Sequence, residues 1–283
     1  MKIVRTFATS ANLGPGFDCL GICFDLYNEY EFFLSDKYTI EGFSEKFSNP
    51  SDNLIVKSYE KVFLLKNKKI QFLTIRQKIQ NIPVSRGLGS SASCIVAGII
   101  MANEILGGIL SKDEIFQIAS MIEGHPDNVL PALVGGLCAA FMAHEKYYYK
   151  KYIPSSRLQF YSLIPPFELK TELSRSVLPK MYNRCDVIAN LSRIVNLPSA
   201  FIDGDIELLK AIFDDKIHEP YRYKLIEHSL DVKTYFKDYA VAISGAGSSL
   251  LVIGDKVIEL DKIYDFKIVK VIVDNNGVEI YEC

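Results

Sequence analysis

The chain lacks any apolar stretch that could cross a membrane. Its longest run, 94-CIVAGIIMA-102, falls far short of the roughly 20 residues a spanning helix needs. It also lacks an excess of charge of either sign. With Lys+Arg 32 against Asp+Glu 34 the formal net charge is -2, so no electrostatic argument favours nucleic acid or a membrane surface as partner. The start, 1-MKIVRTFATS-10, reads as a strand entering a loop and not as a signal peptide, which makes the cytoplasm the expected location.

Missing too is any Cys-x-x-Cys pair. Cys19, Cys23, Cys94, Cys138, Cys185 and Cys283 are scattered through apolar or terminal surroundings and read as free thiols. His125, His144, His218 and His228 show no zinc-like spacing with them, which argues against a transition-metal centre and leaves a hard, oxygen-bound cation as the expected metal. The nucleoside-triphosphatase string of Gly, four residues, then Gly-Lys-Ser/Thr is absent as well, and there is no internal repeat or low-complexity segment.

What is present is 83-PVSRGLGSSAS-93, a glycine-rich turn with serines that opens an apolar helix carrying no charge before Glu104. Gly87 and Gly89 allow backbone N–H groups to approach an anion, and the helix start adds free N–H groups and a positive dipole end. The plainer reading is a helix capped by Ser90 or Ser91, which leaves the Gly-Leu-Gly unexplained. A dinucleotide fingerprint is a third possibility. It would follow a buried apolar strand and be answered by an acidic residue about twenty positions on, whereas 76-RQKIQNIPVSR-86 is polar and 111-SKDE-114 reads as a helix start.

At 283 residues with hydrophobic residues at 49%, the chain can bury the core of one large domain or two lobes. Strands are expected over 2–8, 22–34 and 70–77, with a helix over 54–66. Helices over 91–107, 112–123 and 126–134 follow, then a strand pair over 135–143 and 147–153. The sequence 154-PSSR-157 interrupts this pattern and divides the chain into residues 1–155 and 156–283. The second block reads as strand 158–164, helices near 171–179, 181–195, 205–213 and 220–237, and strands 239–245, 249–254 and 267–274. That alternation suits a small α+β sandwich of the split βαβ type.

Three further clusters carry chemistry. In 9-TSANLGPGFDCLG-21 a loop with Gly14, Gly16 and Gly21 presents Asn12 and Asp18, either as turn formers bonding their own backbone or as part of a binding site. In 123-EGHPDNV-129, Glu123 closes a helix where the negative dipole end disfavours a carboxylate, and a nearby cation would relieve that. Glu123 with a serine hydroxyl of the 83–93 loop would suit magnesium, which takes a few protein oxygens and completes its shell with water and phosphate. Pro126, Asp127 and Asn128 form the expected first turn of the next helix, and His125 is either a cap or a substrate contact. The last cluster, 244-SGAGSSL-250, reads as a hairpin connection, though Ser244, Ser248 and Ser249 among small residues also suit close approach to a ligand.

Taken in order along the chain, the four clusters resemble the GHMP family of small-molecule kinases, named for galactokinase, homoserine kinase, mevalonate kinase and phosphomevalonate kinase. The opening motif and the Glu-Gly-His-Pro-Asp-Asn string point to its homoserine branch, as do 165-PPFELKTELSRSVLP-179 and 218-HEPYR-222. The resemblance implies an α+β fold of two lobes: an N-terminal ATP-binding lobe with a left-handed β-α-β element around the phosphate loop, and a C-terminal ferredoxin-like α/β sandwich. It also implies ATP, magnesium, L-homoserine as acceptor and a homodimer.

Carried onto matching positions, Pro83, Val84, Ser85, Arg86, Gly87, Leu88, Gly89, Ser90, Ser91, Ala92 and Ser93 would wrap the ATP phosphates. Ser91 and Glu123 would hold magnesium, and Asn53 would lie near the adenine. Asn12, Asp18, His125, Arg175 and Arg222 would bind the amino acid. Asp18 can pair with its ammonium, while the two arginines fork onto its carboxylate. Asn128 is expected near the acceptor hydroxyl, Arg175 at the transferring phosphoryl group, and Asp127 as a candidate base. The lysine that mevalonate and galactose kinases carry in the opening loop is absent, which argues against those substrates and against an Asp-Lys catalytic pair.

Overall fold

The structure, a computed structural model, describes residues 1–282. Its first half is built on a long antiparallel hairpin, β1 (Lys2–Asn12) and β2 (Gly16–Leu34). The expected loop over 9–21 is therefore mostly strand. The ladder runs on to the Asn12–Gly16 pair through irregularities at Phe7/Ala8 and Ala11/Asn12. Left-handed backbone at Asn12, Leu13, Gly14 and Asp18 absorbs the turn that the glycines and proline signal.

β3 (Thr39–Glu41), α1 (Leu54–Leu65), β4 (Leu73–Gln80), α2 (Ser90–Ile105), α3 (Lys112–Glu123), α4 (Pro126–Val134), β5 (Leu137–Ala143) and β6 (Lys146–Tyr152) complete this half. The helix boundaries have local causes. Asn53 caps α1 by accepting from Ile55 N and Val56 N, and Ser111 and Glu114 form a capping box at the start of α3. Left-handed Gly124 ends α3, and Pro126 opens α4; both follow the usual asymmetry of helix ends.

The second half contains β7 (Gln159–Ile164), α5 (Thr171–Ser176), α6 (Arg184–Ile194), α7 (Leu197–Asp203), α8 (Ile206–Ile212), α9 (Glu219–Arg222), α10 (Ser229–Tyr235), β8 (Ala240–Ile243), β9 (Leu250–Gly254), β10 (Lys262–Ile263), β11 (Phe266–Val271) and β12 (Glu279–Glu282). The single helix expected over 220–237 is broken. A 3-10 turn over Tyr223–Leu225 and left-handed His228 separate α9 from α10. The short elements β3, α7 and β12 carry too little periodic pattern to stand out in the sequence.

One sheet is seven-stranded, in the order β12-β1-β2-β4-β3, with β5 also paired to β2 and β6 to β5. The other is five-stranded and antiparallel, in the order β10-β11-β7-β9-β8. That order is the expected split βαβ arrangement, except that an extended segment with β10 stands where its second helix would be. β12 returns from the C-terminal half to pair with β1.

A hydrophobic core forms among α1, α2, α3, α4 and the first sheet. A second core joins the two halves, packing Leu13, Leu20 and Phe24 against Phe160, Phe201, Phe213 and Leu251. Where β2 crosses α4 the two backbones touch, and a Cβ on Gly21 would lie 1.8 Å from Asp127 O. Burial on this scale, at about 25 cal/mol per Å² of apolar surface, fixes the opening hairpin and the first turn of α4 against each other. No helix among the described residues is long and apolar enough to cross a membrane. Cys19, Cys23, Cys94, Cys138 and Cys185 are free thiols, and Cys283 lies outside the described residues.

Candidate active site

A cleft of about 300 Å³ opens along the start of α2. Its floor is the loop Val84–Ser91, whose residues all line it. Gly89 precedes α2 in left-handed conformation with no side-chain cap, and the first helical bond runs from Ser93 N to Gly89 O at 2.9 Å. The N–H groups of Ser90, Ser91 and Ala92 are thus those a helix leaves for an anion. Of the other residues expected in the loop, Pro83 is not part of the cleft lining. Ala92 and Ser93 turn their side chains into the protein, with Ser93 Oγ donating to Ser90 O at 3.0 Å.

The two glycines of the loop are required for packing. A Cβ on Gly87 would lie 2.1 Å from Ser244 O, and one on Gly89 would lie 1.9 Å from Thr9 Oγ1. The 244–250 turn is the brace that presses there. Ser244 Oγ donates to Gly87 O at 2.6 Å, Ser249 N donates to Arg86 O at 3.2 Å, and Ser248 Oγ donates to Phe167 O at 2.9 Å. Ser244 Oγ also meets Ser10 Oγ at 2.8 Å, so the hydroxyls of Ser244 and Ser248 are engaged within the protein. Arg86 likewise ties down the 165–168 segment, donating to Pro165 O and Pro166 O.

Above the loop, Ser91 Oγ donates to Glu123 Oε2 at 3.0 Å, so the two expected metal ligands are in contact. Burial pushes the Glu123 carboxyl above its usual value; the His125 charge and the Ser91 hydroxyl oppose that shift. A half-buried carboxylate beside a hydroxyl and a phosphate cradle fits magnesium, which needs one or two protein oxygens and would favour the ionised form.

His125 makes no side-chain cap. Its Nδ1 lies 2.6 Å from Asp127 Oδ1. Burial works against the imidazolium, yet the hydrogen bond and charge of Asp127 outweigh it and raise the pKa. Asn128 Nδ2 donates to the same Asp127 oxygen at 3.4 Å, and Asn128 Oδ1 accepts from Thr9 Oγ1 at 2.8 Å.

At the far wall Arg175, on α5, grips Asp18 with both terminal nitrogens. Arg222 is buried under the cleft, where its Nε donates to Ser174 O at 3.2 Å and its Nη1 to Gly245 O at 3.2 Å. Burial first, then the neighbouring Arg175 charge, lowers its pKa to about 10, which leaves it charged at neutral pH. Asn12 donates to Gly245 O at 2.7 Å and accepts from Asp18 N at 3.0 Å. It therefore does the work of a turn former while lining the cleft.

Asn53 also lines the cleft, near Tyr30, Phe43, Phe47 and Gln77, yet its oxygen caps α1 and its nitrogen donates to Phe47 O at 2.9 Å.

Several residues that support the cleft without lining it escaped the sequence reading. Phe17 carries both arginines on its ring, with Arg222 at 5.1 Å and Arg175 at 5.6 Å from the centroid, and it stacks on His218 at 5.1 Å. His218 links Gly14 O to Arg222 Nη1. Asp215 accepts from His218 N and Glu219 N. The Asp215–His218 spacing is that of a side chain capping the start of a helix, a signal the sequence does contain. Phe17 sits in plain view between Gly16 and Asp18, but no periodicity marks it.

The chain is similar to known proteins over most of its length. A model of the GHMP kinases N terminal domain matches residues 53–136. A homoserine kinase of Clostridium botulinum (strain Eklund 17B) is 43% identical over 258 residues, covering 89% of this chain and 86% of the relative. One from Clostridium beijerinckii is 44% identical over 262 residues, covering 90% and 87%. The crystal structure of homoserine kinase from Cytophaga hutchinsonii superposes with a TM-score of 0.86 at 25% identity, over 99% of this chain and 96% of that one. A mevalonate kinase structure, at TM-score 0.63 and 16% identity, shares the fold. With relatives this similar across most of its length, the chain belongs to the homoserine kinases of the GHMP kinase family.

Proposed function

We propose that this chain transfers the γ-phosphoryl group of ATP to the side-chain hydroxyl of L-homoserine. The products are ADP and O-phospho-L-homoserine, and the reaction serves threonine biosynthesis in the cytoplasm. The observation that carries this reading is the charge arrangement beside the phosphate cradle: the Asp18 carboxylate next to two guanidiniums, Arg175 and Arg222, with His125 and Asp127 within 4.8 Å of Asp18. Such a set suits an amino-acid zwitterion, whose ammonium takes the carboxylate and whose carboxylate takes the arginines. Neither mevalonate nor a sugar carries both charges.

In this reading the N–H groups at the start of α2 bind the phosphates, and Ser91 and Glu123 hold magnesium. When bound, that ion supplies charge neutralisation at the transferred group. Asn128 presents its amide to the acceptor hydroxyl, and Arg175 faces the charge that develops on the phosphoryl oxygens. Asp127 accepts from His125 and Asn128 at Oδ1, which leaves Oδ2 for the proton released as the new P–O bond forms. Because the transition state of phosphoryl transfer is loose, positioning and electrostatics supply most of the rate, and a strong base is not needed. Residues 1–155 would then supply the ATP lobe, and 156–283 the lobe that carries the two arginines.

The test is ADP release measured with homoserine, threonine, serine and mevalonate at equal concentration. Turnover should be fastest with homoserine; faster turnover with mevalonate would overturn the reading.

A further inference from the structure

Thr9 is fully buried where the opening strand, the phosphate loop and the first turn of α4 meet. Three contacts fix it there. Its N–H donates to Leu88 O at 3.2 Å, its Oγ1 fills the space that a Cβ on Gly89 would need, and its hydroxyl donates to Asn128 Oδ1 at 2.8 Å. One side chain thus touches both the loop that would carry the phosphoryl donor and the amide that would meet the acceptor.

The chemistry of an amide gives that contact a consequence. Asn128 has an acceptor end and a donor end of nearly the same shape, so packing alone does not choose between them. The Asp127 carboxylate, an acceptor only, takes the NH₂ end at 3.4 Å, and the Thr9 hydroxyl donates to the Oδ1 end at 2.8 Å, so the two partners together hold one orientation of an amide that lines the cleft. In the opposite orientation Asn128 would present a second acceptor beside the Asp127 carboxylate and the incoming phosphate.

We propose that Thr9 is a positioning residue for phosphoryl transfer, one that fixes the N–H donors of Asn128 on the acceptor hydroxyl and holds that amide in register with the phosphate loop. The proposal rests on the reading of the chain as a homoserine kinase. Donor and acceptor groups stand on different elements, α2 and α4, and reacting atoms must meet at about 3–3.5 Å in line. A residue whose backbone N–H holds the loop at Leu88 O and whose hydroxyl holds the amide of α4 keeps the two walls in register.

The experiment is steady-state kinetics of Thr9→Val and Thr9→Ser beside the wild type, with thermal melting and ATP binding measured on the same samples. Val keeps the branched shape and loses the donor; Ser keeps the donor. Thr9→Val should lower kcat by up to about 100-fold, the scale of a small misplacement at a reacting centre. KM for ATP and for homoserine should stay within about twofold. Thr9→Ser should recover most of kcat. In an Asn128→Ala background Thr9→Val should have no further effect, since its route of action is already gone.

Unchanged kcat in folded Thr9→Val, a Ser variant as slow as the Val variant, or an equal further loss in the Asn128→Ala background would each overturn the proposal. Should Thr9→Val not fold, Asn128→Asp decides. It keeps an acceptor for Thr9 but removes the N–H donors, so it must lose kcat with KM held, and wild-type kcat in that variant would refute the inference. Wild-type turnover is measured first: no phosphorylation of homoserine there sinks the functional reading, whereas an active wild type with an indifferent Thr9 sinks only this inference.

Discussion

Asp18 and Arg175 form a two-point ion pair beside the cleft, with Oδ1 accepting from Nη2 at 2.6 Å and Oδ2 from Nη1 at 3.0 Å. The pair joins the opening hairpin of the first half to the first helix of the second. Each charge satisfies the other. A zwitterion entering the site can exchange this one pair for two, with its ammonium on Asp18 and its carboxylate on Arg175. A molecule bearing a single charge would leave one partner uncompensated, which costs more than the new contact returns.

Asp18→Asn should therefore raise the KM for homoserine by roughly 10- to 100-fold, matching about 1.5–3 kcal/mol for a hydrogen bond to a charged group. KM for ATP should hold. In the wild type, 4-hydroxybutyrate and 3-aminopropanol, which lack the ammonium and the carboxylate respectively, should both be poor acceptors. Equal loss of ATP and homoserine affinity in Asp18→Asn, or good turnover of either analogue, would contradict the exchange.

The Ser91–Glu123 contact leads to a metal prediction. Burial raises the Glu123 carboxyl above 4.5, with His125 and Ser91 pulling the other way. A divalent ion bound to the carboxylate competes with that proton, so the magnesium needed for half-maximal rate should rise as pH falls toward the raised value. Glu123→Gln should increase the magnesium requirement roughly tenfold or more at neutral pH, the loss of one charged interaction, and flatten its pH dependence. Rates titrated against magnesium at several pH values provide the check; an unchanged requirement would move the ligand elsewhere.

The residues that meet at this cleft are more legible in the sequence than their supports. Ser91 and Glu123 announce themselves because a serine at a glycine-rich helix start and a carboxylate at a helix C-terminus are both locally unusual. The helix caps at Asn53, Ser111 and Gly124 follow from short-range rules and fall where expected. The brace at Ser244, the Phe17 platform and the Thr9 contact depend on residues far apart in the chain. Spacing rules do not reach them, since nothing local distinguishes a serine that grips a distant carbonyl from one that faces water. The strand over 9–12 was missed for a related reason. Glycine and asparagine look like a loop until a partner strand forces left-handed residues into the ladder.

Two glycines in left-handed conformation separate backbone strain from collision. Gly124 has φ +89 with nothing within 4 Å of an added Cβ, while Gly87 has φ +73 and would meet Ser244 O at 2.1 Å. Gly124→Ala should cost about 1–2 kcal/mol, the left-handed penalty alone. Gly87→Ala adds a clash with backbone that cannot swing aside, so its melting temperature should drop well below that of Gly124→Ala and its ATP affinity should fall. Equal melting temperatures for the two variants would show that the 244–250 turn yields.

Two neighbours at the start of α9, its N-cap His218 and its first residue Glu219, give stability opposite slopes with pH. Glu219 is fully buried, and burial pushes its carboxyl up from 4.5 to about 7 against the charge of Lys233. Between those values the folded chain keeps a proton that the unfolded chain has lost. This contribution is therefore largest below about pH 4.5 and declines up to about pH 7, by about 3 kcal/mol at most. His218 is buried beside Arg222, and burial first, then that charge, lowers its pKa below 6.5 even though Asp215 opposes the shift. Here the unfolded chain gains a proton that the folded chain refuses, so stability is full above pH 6.5 and is lost as pH falls. The slopes oppose each other across the same window, and the wild type should vary little between pH 5 and 6.5 from these groups. Glu219→Gln should unmask the histidine and make stability rise with pH; His218→Asn should unmask the glutamate and make it fall. Urea midpoints at pH 5, 6, 7 and 8 distinguish the three proteins, and parallel curves would mean that neither group titrates differently on folding.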